Sequence, residues 1–447
     1  MRTWLRIAAA VLSVAVLVPH LIASLRYVSE PGNVTGWEAA WIAQSLVDGH
    51  GFSFPELHRW LFEKVDTGRY FLTAWVDPIY TYCLAGLMLL FGPAHPVAAV
   101  WLNAIFLLSA FAFLYLSAER WFSPYAGLIV IALIGGVSNA WAAALDDENN
   151  TCLATLLISA CFWQALRLFE RPTAQRAIAL GLLLGLTALG SPSTLLFSGA
   201  TALVIATAVR LGHTRWRNAL LVCIFAGLAM LPWTLRNYEV FGRFIPVRDG
   251  GGMLAFVGTV SLASVVQPEL VPTRTRVDAH ADTLREAVNL AQGRDERRAL
   301  EKFPLDYALE VDPQRYAELD EARRDAWLGE QARAFARAHP GFVLAAALPK
   351  LGLFLRVLGP LGRITLIMAA FALIPGFRHP RARLAGAWIA AFAAPFGLII
   401  CYFNRYRAPV EPVVMLLALW GLWHAAAALR VRIAGAGAAP LANGEAS

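Results

Sequence analysis

Charge is what this chain has least of. Only 15% of its 447 residues are Asp, Glu, Lys or Arg, against about 25% in a soluble domain. A chain so poor in charge is not an ordinary water-soluble globule. Metal and nucleotide signatures are missing too. There is no HExxH and no P-loop, and Gly250-Gly251-Gly252 is a turn signal without the strand and helix of a nucleotide fingerprint. The five cysteines, Cys83, Cys152, Cys161, Cys223 and Cys401, contain no CxxC pair and lie in or beside apolar runs. They read as small buried hydrophobes, so neither a disulfide framework nor a zinc site is expected. No internal repeat is evident, which removes the inverted-repeat signature of many transporters. The net charge of +7 is modest, and its arginines gather at the ends of apolar runs. That placement points to membrane topology and lipid headgroups, not to nucleic acid.

What is present is apolar surface in long runs. Hydrophobic residues make up 58% of the chain and the mean hydropathy is +0.54. Inside lipid only a helix satisfies its own backbone groups, and about 20 apolar residues span the hydrocarbon. The first run extends from the basic start, Arg2 and Arg6, to about Leu25. It is longer than the apolar part of a signal peptide and is read as an uncleaved span with its arginines cytoplasmic. Further runs fall near 74–92, 97–118, 125–145, 151–168, 177–190, 193–210, 218–235, 341–358, 361–376, 384–403 and 408–429. The predicted fold is an all-α polytopic membrane protein of about 10–12 apolar helices, with juxtamembrane helices at the outer face and a helical periplasmic segment.

Basic clusters set the expected sides. Arg167, Arg171 and Arg176 share one loop, while Arg210, His213, Arg215 and Arg217 share another; both read as cytoplasmic. The chain then divides into a membrane region 1–236, a long outer segment 237–340, a second membrane region 341–429 and a disordered tail 430–447. The first region carries an outer loop at 28–71 and an acidic outer loop at 146–150. Two outer loops must be separated by an even number of crossings, yet three apolar runs lie between 71 and 146. One of them must lie flat, re-enter or pair as half-spans. The cluster Arg378, His379, Arg381 and Arg383 likewise wants the inside, so 341–358 should not cross. Lys350 and Arg356 suit an interfacial helix there. About ten crossings result, with two apolar helices left at the outer interface. The segment 237–340 reads as a solvated helical cap, with helices near Ala279–Lys302 and Gln314–Ala338 rich in Arg and Glu at helical spacing.

Four constellations at outer-loop positions carry chemistry. Glu38 stands among Trp37, Trp41 and Leu46, where partial desolvation raises a carboxylate towards a useful base; a solvated loop acid is the plainer reading. Asp146-Asp147-Glu148 sits between two apolar runs. It suits a divalent cation or an acceptor, and equally the acidic start of a helix at Thr151. Arg405-Tyr406-Arg407 is a cationic pair kept against the positive-inside bias, as a lipid phosphate would require; headgroup snorkelling is the alternative. Arg236 ends the span through Pro232-Trp233-Thr234-Leu235, followed by Arg243 and Arg248, and can be a snorkelling arginine in an aromatic belt.

These segments, in this order, resemble the C-type glycosyltransferase superfamily, most closely bacterial members of glycosyltransferase family 39. That group includes protein O-mannosyltransferases and the lipid A aminoarabinose transferase. The resemblance covers most of the chain. It rests on Gly36-Trp37-Glu38 with Asp48-Gly49-His50-Gly51-Phe52, on Thr73-Ala74-Trp75 with Asp77-Pro78-Ile79-Tyr80, and on Leu90-Phe91-Gly92. It continues in Pro232 to Tyr238, in Gly329-Glu330 before His339-Pro340, and in Arg405-Tyr406-Arg407 with Pro409, Glu411 and Pro412. The resemblance implies an inverting transferase that uses a polyprenyl-phosphate sugar at the periplasmic or exterior face of the plasma (bacterial inner) membrane. Its catalytic acid lands on Glu38. A second acid falls within Asp146–Glu148, with Asp147 and Glu148 the candidates, or aligns at Asn150. Asp77 stands where proline is usual. The carrier phosphate maps to Arg405 and Arg407, with Tyr406 and Arg236 beside them. The implied partners are the lipid-linked donor, membrane lipids and a lipid, glycan or protein acceptor. No cofactor is required, although Asp146–Glu148 leaves room for a divalent metal. A flippase of lipid-linked sugars and a non-catalytic envelope scaffold are the rival readings. The flippase would need charges deep inside its spans.

Overall fold

The computed structural model describes residues 2–30, 38–54, 70–92, 96–137, 144–145, 149–208, 215–290, 294–354, 359–376, 378–398 and 408–437. The described chain is helical apart from one short antiparallel ribbon. There β1 (Ser53–Phe54) pairs with β2 (Phe71–Leu72), Ser53 opposite Leu72. The first membrane region holds α1 (Arg2–Ser29), α2 (Glu38–Val47), α3 (Pro78–Phe91), α4 (Pro96–Trp121), α5 (Pro124–Val137), α6 (Thr151–Glu170), α7 (Ala174–Gly190), α8 (Leu196–Ala206) and α9 (Arg215–Phe241). Then come α10 (Gly251–Phe256), a π-turn at Val257–Ser261, α11 (Leu262–Val266), α12 (Leu284–Leu290), α13 (Arg294–Val311), α14 (Pro313–Glu318) and α15 (Glu321–Ala338). The chain closes with α16 (Pro340–Phe354), α17 (Gly359–Gly376), α18 (Pro380–Leu398) and α19 (Glu411–Gly437). Among the described residues, five helices are long and apolar enough to cross a membrane: α1, α4, α6, α9 and Ala408–Arg430. The protein is an all-α polytopic membrane protein.

Side-chain contacts define two ends of the bundle. At one end Arg6 pairs with Glu119 at 3.0 Å and Arg120 with Glu170 at 2.5 Å. Arg176 donates to Arg167 O, Arg381 to Arg120 O and Arg383 to Thr207. This basic end gathers the start of α1, the ends of α4, α6 and α8 and the starts of α7 and α18. At the other end Asn150, before α6, donates to Gly190 O, which closes α7. Asp77, before α3, lies against the same Asn150.

Two runs stay at this second end. α3 starts there, and α4, which finishes at the basic end, also starts there. α3 has 14 residues and rises about 21 Å. It lays Tyr80, Leu84 and Met88 against Ala40 and Ala43 of α2, Ala99 of α4 and Leu153 of α6. α16, with 15 residues, is similar. Its Leu351 fills the space over Gly397, near the far end of α18. Lys350 differs from the sequence-based expectation: it is 3% exposed, and its ammonium donates to Gly258 O at 2.6 Å in the π-turn. The π-turn frees a carbonyl from the helical ladder, and that carbonyl draws the amine inward. Arg356 lies outside the described residues.

α7 and α9 run parallel in close contact because Gly181 and Gly185 present no side chain. A Cβ there would stand 2.6 Å from Val222 O and 2.4 Å from Ala226 O. This is the small-residue approach of membrane helices. The segment after α9 is more than a solvated cap. It has its own aromatic core of Phe256, Phe303, Tyr307, Tyr316, Trp327 and Phe335. α10 crosses α15 so closely that a Cβ at Gly252 would lie 1.8 Å from Asp325 O. The glycine triplet thus opens a helix, with Gly250 at φ +91° before it. Two boundaries move as well. α9 continues to Phe241 instead of ending at 236. α19 remains helical to Gly437, past the expected tail boundary at Arg430.

Candidate active site

The second end of the bundle is organised by the last turns of α9. Trp233 Nε1 donates to Val247 O, Thr234 Oγ1 to Pro246 O (3.0 Å), and Asn237 Nδ2 to Ile245 O and Val247 O (3.0 and 3.2 Å). The chain reverses at Gly242, φ +62°, a conformation glycine adopts without steric cost. Residues 245–250 are therefore pinned along the helix they have just left. Arg236 faces the other way. It donates to Thr73 O at 2.7 Å and Phe52 O at 3.0 Å, with its guanidinium over the rings of Phe52 and Trp233. One arginine thus ties the β-ribbon and the strand 73–77 to α9.

Two polar groups result. In the first, the buried Asp77 precedes α3 in extended conformation and makes no capping bond. Its carboxylate instead accepts from Asn150 Nδ2 and stands 3.8 Å from Arg248. The second lies one residue further on. Asp249, 6% exposed, adjoins Glu321, and its backbone N–H donates to Ala74 O. Glu321 accepts from Thr73 Oγ1 (2.9 and 2.7 Å) and Ala74 N (2.9 Å). Burial pushes Asp249 well above the ordinary carboxylate range, and the adjacent Glu321 adds to it. Burial also raises Glu321, against the lowering effect of its donors. Two carboxyls so placed share a proton in preference to carrying two charges. Asp325 is raised by burial as well, while accepting from Gly252 N and Met253 N.

Glu38 opens α2 at this same end. α2 lays Ala40 and Ala43 on α3, and Ile42 meets Phe52, Val76, Leu189 and Trp233. Among the described residues no hydrogen bond or ion pair engages Glu38. Asp146, Asp147 and Glu148 lie outside the described residues, as do Arg405, Tyr406 and Arg407. The neighbours of the acidic triplet are placed: Asn103 donates to Leu145 O, and Asn149 accepts from Thr151 N. Among the described residues no group of three or more His, Cys, Asp or Glu is arranged to hold a metal ion.

Sequence reasoning noted Asp77 and Arg248 only in passing and missed Asp249 and Glu321. The partners are separated by 73 residues (Asp77 and Asn150) and 248 residues (Thr73 and Glu321), so no local pattern announces them. The one available signal was Glu321 following Asp320 at a helix start, and that is equally an ordinary cap.

This architecture is the C-type glycosyltransferase fold. No family model matches the chain, and no curated protein matches it. Solved structures do. The oligosaccharyltransferase of Archaeoglobus fulgidus, in complex with Zn and sulfate, is 14% identical at a TM-score of 0.53, covering 98% of this chain and 52% of that one. The archaeal oligosaccharyltransferase AglB from the same organism, in complex with an inhibitory peptide and a dolichol-phosphate, is 13% identical at 0.51, covering 100% and 52%. The chain thus spans about half the length of these structures. ArnT from Cupriavidus metallidurans bound to undecaprenyl phosphate is similar more slightly, at 15% identity and a TM-score of 0.38, covering 94% and 79%.

Proposed function

We propose that this chain is a membrane glycosyltransferase that moves a sugar from a polyprenyl-phosphate-linked donor to a lipid, glycan or protein acceptor. The observation that carries the reading is the meeting of Glu38's helix, the Asp77–Arg248 pair and Arg236 at one end of a C-type fold. The basic end faces the cytoplasm by the positive-inside rule, so the site faces the periplasm or exterior.

In the proposed reaction Glu38 takes the proton of the acceptor hydroxyl, or acts as the electrostatic partner of the base. The acceptor oxygen attacks the anomeric carbon, and the bond from that carbon to the carrier phosphate oxygen breaks. The phosphate leaves with the electron pair and is stabilised by Arg405 and Arg407, with Tyr406 and the remaining N–H groups of Arg236. Attack opposite the leaving group inverts the anomeric centre. Asp147 and Glu148 orient the acceptor or the base. The dolichol-phosphate bound to AglB supports a polyprenyl carrier. No step passes through a metal; if Asp146–Glu148 holds a divalent cation, EDTA will abolish transfer and Mn²⁺ will restore it.

The test is single-compartment turnover. Purified protein in detergent should transfer sugar from an undecaprenyl-phosphate donor to a membrane-extract acceptor, releasing undecaprenyl phosphate, and Glu38→Gln should stop it. Donor consumption by neither protein, across a panel of sugars, would refute the reading. A flippase would be silent in this assay and active only between two compartments.

A further inference from the structure

We propose that the first turn of α15 is a positioning clamp that sets the Asp77–Arg248 pair. Glu321 and Asp325 are four residues apart and share one face of the helix. Each holds a different strand of chain. Glu321 takes Thr73 Oγ1 and Ala74 N, four and three residues before Asp77. Asp325 takes Gly252 N and Met253 N, four and five residues after Arg248. Between them, Asp249 N donates to Ala74 O at 3.1 Å and joins the two strands. The pair at 3.8 Å is where these strands converge.

The arrangement is rigid for a steric reason. At Gly252 the first turn of α10 rests directly on the backbone of α15, with no room for a Cβ against Asp325 O and Gly329 N. On the other side Arg236 grips Thr73 O, so the strand to Asp77 is held between α9 and α15. Burying Glu321 beside Asp249 is a poor way to gain stability, since an apolar contact of the same volume commonly does as well or better. What a carboxylate adds is two acceptor oxygens aimed at fixed backbone and hydroxyl donors, which is directional control. The consequence is that the whole segment 237–340, through α15, governs the site geometry. A ligand or acceptor that shifts α15 would shift both partners of the pair together. Glu321 and Asp325 act through other groups and are positioning residues.

This inference rests on reading the Asp77–Arg248 pair as part of the transfer site, and the test keeps the two apart. Hydrogen exchange of the intact protein in detergent reads the clamp without any turnover. Glu321→Ala should raise exchange roughly tenfold in peptides covering 71–78 and 247–254, the scale of one lost charge-assisted hydrogen bond. Exchange in α6 and α7 should stay unchanged. Glu321→Gln keeps an acceptor oxygen for Thr73 and Ala74 and should restore protection. Phe335→Leu, which loosens the core of the same segment away from the clamp, should raise exchange within 294–338 and leave 71–78 protected. Where transfer is measurable, Glu321→Ala should lower kcat roughly tenfold with donor KM within about twofold, and Glu321→Gln should recover most of it. Unchanged exchange at 71–78 in Glu321→Ala would overturn the clamp, as would equal loosening there by Phe335→Leu. If the wild type transfers no sugar while the exchange pattern holds, the clamp stands and the transferase reading fails.

Discussion

The two ends of the bundle are held together in opposite ways. At the basic end, exposed arginines reach glutamates and the carbonyls that close helices, as in Arg6 with Glu119 and Arg381 with Arg120 O. Water remains available to these groups, so each contact is replaceable. At the site end the polar groups are buried and have few substitutes. Asp77, Glu321 and Asp325 depend on particular donors from distant parts of the chain. Such groups are costly to leave unpaired. The comparison teaches that charge contacts at the basic end are replaceable, whereas carboxylates at the other end carry geometry.

Substitutions at each end sharpen or break that contrast. The largest effect is expected on chemistry. Glu38→Gln should lower transfer roughly a thousandfold, within the range for losing a general base, while the thermal midpoint in detergent stays close to wild type. A comparable fall in both would mean that α2 is only structural. Next comes Gly252→Ala. A methyl placed 1.8 Å from Asp325 O must displace α15 and should cost about 3 kcal/mol, read from tryptophan fluorescence on denaturation. An unchanged denaturation curve would show the crossing to be loose.

A pH series separates the ends further. Asp249, Glu321 and Asp325 are all raised in the folded state, chiefly by burial. The folded protein therefore binds more protons than the unfolded chain above the ordinary carboxylate range. Stability falls as pH rises from about 5 through the raised values, because ∂ΔG/∂pH follows the unfolded minus the folded proton count. Arg248 lies near Asp249 and Arg236 near Glu321, and their charges work against the rise without cancelling it. Glu310 has the opposite sign but acts lower. The backbone N–H groups of Arg274 and Thr275 hold it down at about 2, so its contribution is lost only as the solution becomes strongly acidic. Melting should occur at a lower temperature at pH 8 than at pH 5, and Glu321→Gln should flatten the slope; an inverted slope would contradict the buried pair. The smallest effect belongs to the basic end. Arg6→Ala should leave the melting temperature close to wild type, as loss of an exposed ion pair does.

Several of these features were legible in the residues alone. Scarcity of charge and runs of about 20 apolar residues point to membrane helices because lipid offers no partner for an open backbone. The grouping of Arg6, Arg167, Arg176 and Arg383 at one end follows from the alternation of those runs. Which run stays behind in the first region was not legible: the runs at 74–92 and 97–118 look alike by hydropathy, and it is the contact of Asp77 with Asn150 that puts the start of α3 at the end where α4 also starts. Lys350 was misread because an amphipathic lysine at a membrane surface and a lysine bonded to a π-turn have the same neighbours in sequence. Glu38 was legible as a candidate from its aromatic setting, whereas Asp249 and Glu321 carry no local mark.

Composition and periodicity by themselves determined an all-α membrane protein, its basic end and a long polar segment after α9, since each depends on how a residue partitions between water and lipid. Tertiary structure alone decided which carboxylates are buried and what they hold. That choice depends on strands hundreds of residues apart arriving at one place, where a single glycine permits the backbones to touch and a shared proton lets two acids lie side by side.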